Sequence, residues 1–176
     1  MNVHLAYGQG QLPVEFPDDR TTVIQPAFRP GLPNEKEALL AALDHPVGAT
    51  ALAGWLRPNA RICVLFTDIT RATPNDRLIP WLLEYLERHG VRREQITLLN
   101  QLGTHRPNSP AELEKMLTPA VVASYRVVNH EPENHDACVP LGTTLAGTPA
   151  WLNRHAVEAD VRILTGFIEP HFFAGF

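Results

Sequence analysis

The run Arg61-Ile-Cys-Val-Leu-Phe66 constrains this chain more than any other stretch, because every position after its first is apolar. A strand with one wet face alternates apolar and polar residues. An unbroken run of strand length instead suits a central strand of a parallel sheet, buried on both faces. The flanking sequence has the rhythm such a sheet needs. Leu78, Ile79, Leu82, Leu83 and Leu86 recur at three- and four-residue intervals between Pro74 and Gly90. That spacing predicts a helix ended by Gly90, with Pro80 kinking or delaying its first turns. Further strands are expected over 95–101, 124–129 and 161–164, and further helices near 110–117 and 149–159. Strand alternating with helix implies parallel pairing, hence an α/β fold, a Rossmann-like three-layer sandwich around a mostly parallel sheet.

The opening segment differs. Residues 2–7 and 11–16 flank Gly8-Gln9-Gly10 and predict a β-hairpin, followed by a short strand over Thr21–Ile24. Gly8-x-Gly10 is a turn and not a nucleotide loop, because Leu12-Pro13-Val14 continues extended where a dinucleotide fingerprint needs a helix. Asn34, followed by Glu35 and Glu37, signals a helix start, and Pro46 ends that helix.

With 176 residues, the chain can bury roughly 70% of its unfolded surface and build one core without disulfides or a structural metal. Lys and Arg total 15 against 19 Asp and Glu, and the longest basic cluster is Arg92-Arg93. Nucleic acid is therefore not expected as a partner. No stretch approaches the roughly 18 apolar residues of a membrane span, and the first residues lack a charged leader with an apolar core. A soluble, cytoplasmic protein without a membrane partner is expected. Cys63 and Cys138 lie 75 positions apart with no C-x-x-C, which suits reduced core thiols.

In an open parallel sheet, ligands bind beyond the carboxyl ends of the strands. Thr67-Asp68-Ile69-Thr70-Arg71 follows the first predicted strand of the sheet, Gly103-Thr104-His105-Arg106-Pro107 the second, and Gly166-Phe-Ile-Glu-Pro-His171 the last. Arg71 offers a planar fork for a carboxylate or phosphate, and the helix start at Pro74–Asp76 adds backbone N–H groups nearby. The alternative is a simple Asp68–Arg71 ion pair. His105 and His171 can exchange protons at neutral pH, and two histidines on one sheet edge beside an arginine suit an acid/base pair. His130-Glu-Pro-Glu-Asn-His135 is a poor zinc motif, since its histidines are five apart and Pro132 prevents a regular helix. His4, His45, His89 and His155 need no function. No metal ligands are assigned in this chain. The final Glu169–Phe176 is aromatic and apolar, which suggests a domain of a longer protein or a tail buried by a partner.

At these residues the sequence resembles the nickel-dependent lactate racemase family, specifically its N-terminal domain. The resemblance rests on Thr67-Asp68-Ile69-Thr70-Arg71-Ala-Thr-Pro74, Gly103-Thr104-His105-Arg106-Pro107, Leu141-Gly-Thr-Thr144 with Gly147-Thr-Pro149, and Gly166–Phe176. It implies a two-domain enzyme that inverts C2 of a 2-hydroxy acid, with residues 1–176 as the catalytic, cofactor-facing N-terminal domain. The implied cofactor is a nickel-pincer nucleotide. By the resemblance, His105 and His171 form the catalytic acid/base pair, each serving one enantiomer. Asp68, Ile69, Thr70 and Arg71 match the cofactor-binding segment. C2 hydride transfer to the pyridinium ring would pass through a 2-keto acid.

Family members continue into a segment carrying a cofactor-tethering lysine, a nickel-ligating histidine and a second domain, none of which lies in this sequence. The expectation is therefore that these residues alone bind neither nickel nor substrate tightly and show no racemase activity. Two other readings compete: a non-catalytic binding or assembly module that keeps the fold, and a metal-dependent hydrolase built on His130 and His135.

Overall fold

The computed structural model describes residues 1–171 and 175. It divides into two compact units, residues 1–33 and 34–176. In the first, β1 (Asn2–Tyr7) and β2 (Gly10–Glu15) pair antiparallel from Asn2↔Glu15 to Tyr7↔Gly10. Gly8 turns the hairpin at a φ of +59°, a conformation that only glycine adopts without steric cost. The N-terminal ammonium closes the open end by donating to the Phe16 carbonyl at 2.7 Å. Residues 21–24 form no strand, contrary to the expectation from their β-branched composition. They have no partner strand, and propensity alone does not make one.

In the second unit, α1 (Glu35–Asp44) begins where Asn34 accepts from the Glu37 N–H. Its sheet contains β3 (Ile62–Phe66), β4 (Ile96–Asn100), β5 (Arg126–Asn129) and β8 (Val161–Leu164), all parallel, in the order β5-β4-β3-β8. The chain steps outward from β3 through β4 to β5, then returns to place β8 on the other side of β3. The order therefore reverses between β3 and β8, the position at which a crevice opens beyond the strand ends.

Alternation along the central strands divides the core. Ile62, Val64, Phe66, Ile96 and Leu98 face Ile79, Leu82, Leu83 and Leu86 of α2 (Asn75–Arg88), together with Leu113 and Leu117 of α3 (Pro110–Leu117) and Val121 of α4 (Pro119–Ser124). Cys63 and Leu99 project to the other face and meet Ala156 and Ala159. Burial pushes the Cys63 thiol up to about 11, so it stays protonated. Cys63 and Cys138 are both unpaired and buried, as expected of core thiols.

Helix α2 starts at Asn75, so Pro80 does not delay it. Asn75 Nδ2 donates to the Thr67 carbonyl at 2.9 Å, fastening the helix start to the end of β3. At the other end, Gly90 N–H bonds the Glu87 carbonyl and Val91 N–H the Leu86 carbonyl, a Schellman closure with Gly90 at φ +82°.

The segment near 149–159 departs from the predicted helix. Residues Pro149–Asn153 form β7, paired antiparallel with β6 (Cys138–Thr143), and only Arg154–Val157 is helical, as α5. Strand pairing outweighs the local pattern here, and Asn153 starts the short helix by accepting from the His155 N–H at 2.9 Å. No described helix is long and apolar enough to cross a membrane.

Phe66 has no exposed surface. Phe66→Ala is expected to destabilise the fold by about 3–5 kcal/mol, measured as the shift in a urea unfolding curve.

Candidate functional site

Three loops leave the carboxyl edge of the sheet, and named side chains tie each to the others. After β3, Asp68 is buried. Its Oδ1 accepts from the Thr70 hydroxyl at 2.7 Å, and its Oδ2 lies 2.6 Å from His105 Nδ1. After β4, Gln101 donates from its backbone to the Phe66 carbonyl and from its side chain to the Thr165 carbonyl, both at 2.8 Å. After β8, Glu169 reaches Arg71 at 3.6 Å. His171 pairs through its backbone with Gly175.

Beneath these loops sits a cluster of three asparagines. Asn100, at the end of β4, is fully buried and donates to Asn108 Oδ1 at 2.8 Å and to Asn129 Oδ1 at 2.9 Å. Asn129 Nδ2 donates to the Asn108 carbonyl, and Asn108 Oδ1 also accepts from the Ile69 N–H. The cluster thus joins β4, β5 and both the Asp68 and His105 loops. His105 is held from its other side as well. Its neighbour Arg106 makes a bidentate pair with Glu112, at 2.8 and 2.7 Å. Glu112 is also the third residue of a capping box with Ser109 at the start of α3.

The loops enclose a cleft of about 390 Å³ lined by Thr67, Asp68, Arg71, Gln101, Leu102, Gly103, Thr104, His105 and His171. That volume lies in the usual range of small-ligand sites. Asp68, Arg71, His105 and His171, singled out in the sequence, therefore share one hollow. Ile69 and Thr70 do not line it: Ile69 packs against the core, and Thr70 hydrogen-bonds Asp68. The Arg71 guanidinium pairs with Glu169, not with Asp68.

A second hollow of about 340 Å³ adjoins the first, sharing Asp68 and Arg71 and adding Thr73, Asn75 and Lys115. In its wall the buried Thr73 hydroxyl and the Asn75 carboxamide oxygen have no partner among the described residues. Sequence reasoning missed Thr73, Asn75, Lys115 and Asn108. The signal available for Thr73 and Asn75 was their position at the helix start, beside the predicted anion seat.

The remaining histidines lie elsewhere. His130 Nδ1 meets Asn153, and His135 packs edge-on against Trp151. His89 ends α2, with Nδ1 at 2.8 Å from the Tyr85 carbonyl. Phe172, Phe173 and Phe176 of the aromatic tail lie outside the described residues.

Two charge states follow from these contacts. Burial pushes the Asp68 carboxyl up, but hydrogen bonds from Thr70 and His105 together outweigh it and hold the group below the ordinary carboxylate range. The Arg106 guanidinium, aided by the Ser109 N–H, holds Glu112 far below that range.

The family model described as the lactate racemase N-terminal domain matches residues 7–176. A lactate racemase from Thermoanaerobacterium thermosaccharolyticum is 28% identical over 179 residues, covering 99% of this chain and 42% of the relative. One from Lactiplantibacillus plantarum is 34% identical over 143 residues, covering 81% and 34%. The solved structure of the Thermoanaerobacterium thermosaccharolyticum lactate racemase apoprotein superposes with a TM-score of 0.80 at 29% identity, over 99% of this chain and 40% of that one. The chain spans less than half the length of these relatives.

A carboxyl held low in the native state adds stability above its unfolded value, near 4.3 for Glu, and loses it as pH falls from there toward the native value. Glu112→Gln is therefore expected to lower the urea midpoint at pH 7. The gap from wild type should narrow progressively below about pH 4.3.

Proposed function

This chain belongs to the lactate racemase N-terminal domain family, and on that premise we propose that its cleft inverts C2 of a lactate-like 2-hydroxy acid, with His105 and His171 as the acid/base pair. The observation that carries this reading is the lining of one strand-end cleft by two imidazoles and a guanidinium. In this reading each enantiomer needs a group that takes and returns its hydroxyl proton, the carboxylate needs a cation, and these residue types supply them.

Lactate has only a methyl group and a carboxylate beside C2 and so little to delocalise a carbanion, which favours inversion by hydride transfer over removal of the C2 proton by an imidazole. A nickel-pincer nucleotide, the cofactor we assign to the full-length enzyme, supplies the hydride acceptor when bound. The residues of this chain fit a nucleotide. In the hollow beside the catalytic cleft, the unmatched Thr73 hydroxyl suits a phosphate oxygen and the unmatched Asn75 carboxamide oxygen suits a ribose hydroxyl. Arg71 and Lys115 supply positive charge there beside the carboxylates of Asp68 and Asp76. The second domain of the longer relatives would complete the site.

The work of the chain's own side chains is proton transfer and positioning. One imidazole takes the substrate hydroxyl proton as the C2–O bond becomes a carbonyl, and the carbonyl oxygen takes a proton back when C2 is reduced from its other face. His105 and His171 exchange these roles between the two directions, so one serves each enantiomer. Arg71 holds the carboxylate of the substrate or an anionic group of the cofactor through its planar fork.

In the full-length protein loaded with cofactor, His105→Ala or His171→Ala is expected to reduce interconversion of D- and L-lactate at least about 100-fold with the melting temperature retained, followed by chiral chromatography. Wild-type rates in either variant would refute the assignment. Arg71→Gln should raise KM for the 2-hydroxy acid or lower cofactor occupancy, measured as nickel per protein.

A further inference from the structure

Asp68 is a buried ionised carboxylate, and each of its oxygens already has a donor. Oδ1 accepts from the Thr70 hydroxyl and, at 3.3 Å, from the Thr70 N–H. Oδ2 faces His105 Nδ1 at 2.6 Å. Arg71, three residues on, is turned to Glu169 instead. The carboxylate is thus fastened within the protein, with its Oδ2 committed to the imidazole.

We infer that Asp68 is the positioning residue for His105: it holds the ring as the Nδ1–H tautomer, so that Nε2 carries the lone pair that takes the substrate proton. The inference rests on the acid/base reading of His105 and changes the role that the resemblance gives Asp68, from cofactor contact to orienter of the base. An ionised carboxylate only accepts hydrogen bonds, so the imidazole nitrogen facing it must be the protonated one. The neutral ring then has one basic atom left, Nε2. When that atom gains a proton, the Asp68 charge lies beside the new imidazolium and stabilises it without any movement of the chain.

The geometry around the pair supports orientation as its purpose. The His105 side chain is about half exposed while Asp68 is 4% exposed, so the carboxylate is the fixed partner and the ring extends from it into the cleft. Thr70 fixes the rotation of the carboxylate, and the Arg106–Glu112 pair fixes the backbone beside the ring. A freely rotating histidine would present either nitrogen; this one is limited to a single orientation and tautomer.

The test uses the full-length, cofactor-loaded protein. Asp68→Asn is expected to lower kcat at least about 100-fold in both directions, with KM within about threefold of wild type and nickel per protein unchanged. Unchanged kcat, or a loss of nickel in proportion to the loss of activity, would overturn the inference, the second outcome marking Asp68 as a cofactor ligand. A measurement on the wild type is independent of any variant's folding. The ¹⁵N shifts of labelled His105 should show Nδ1 protonated and Nε2 bare at a pH where the ring is neutral, and the reverse assignment overturns the proposal. If His105→Ala is inert while Asp68→Asn is fully active, this inference alone fails. Full activity in His105→Ala means that the acid/base reading has failed.

Discussion

A carboxamide with no access to water depends on hydrogen bonds inside the protein, and Asn100 Nδ2 donates to Asn108 in the loop after β4 and to Asn129 at the end of β5, while its Oδ1 has no partner among the described residues. An unpaired buried polar group costs about 1–3 kcal/mol, so the bonds to Asn108 and Asn129 hold the loop after β4 in one place. Through Asn108 the same cluster reaches the Ile69 N–H, and so the loop that carries Asp68 and Arg71. The parallel sheet brings the strand ends to one edge; the asparagines turn that proximity into fixed geometry.

A rigid base of this kind is what the Asp68–His105 contact requires. A hydrogen bond of 2.6 Å between side chains 37 positions apart survives only if both backbones are held independently. The first is held by Asn108 and by Asn75 bonding the Thr67 carbonyl, the second by Gln101 and by the Arg106–Glu112 fork. Misplacing a proton-transfer group by an ångström has a large cost in rate, so such redundancy is expected where chemistry is done.

The parts of the molecule legible in the sequence were those with local causes. The run at 61–66, the apolar spacing of α2, the Asn34 cap and Gly90 each act within a few residues, and each gave a correct element. From the parallel sheet it followed that the loops bearing Asp68, Arg71, His105 and His171 would meet. What was not legible depended on partners far along the chain. The β6–β7 hairpin was hidden because 149–153 pairs with residues about ten positions earlier across a bulge, and no alternation marks it. Helix α4 was missed because it is only six residues long and starts at Pro119 directly after its N-cap Thr118, whose φ is +81°. The asparagine cluster assembles from β4, β5 and a loop, so no spacing announces it. The Arg71 guanidinium was expected to meet either a ligand or Asp68, and the fold supplied Glu169.

That last contact alters how the cleft receives a negatively charged guest. One guanidinium nitrogen already faces a carboxylate at 3.6 Å, so a newcomer that took the whole fork would displace Glu169. Both partners are about one-third exposed, and such pairs are worth about 0–1 kcal/mol, so the displacement is inexpensive. A bidentate guest that also met the neighbouring imidazoles would offer more than Glu169 can, and that difference would be a source of selectivity.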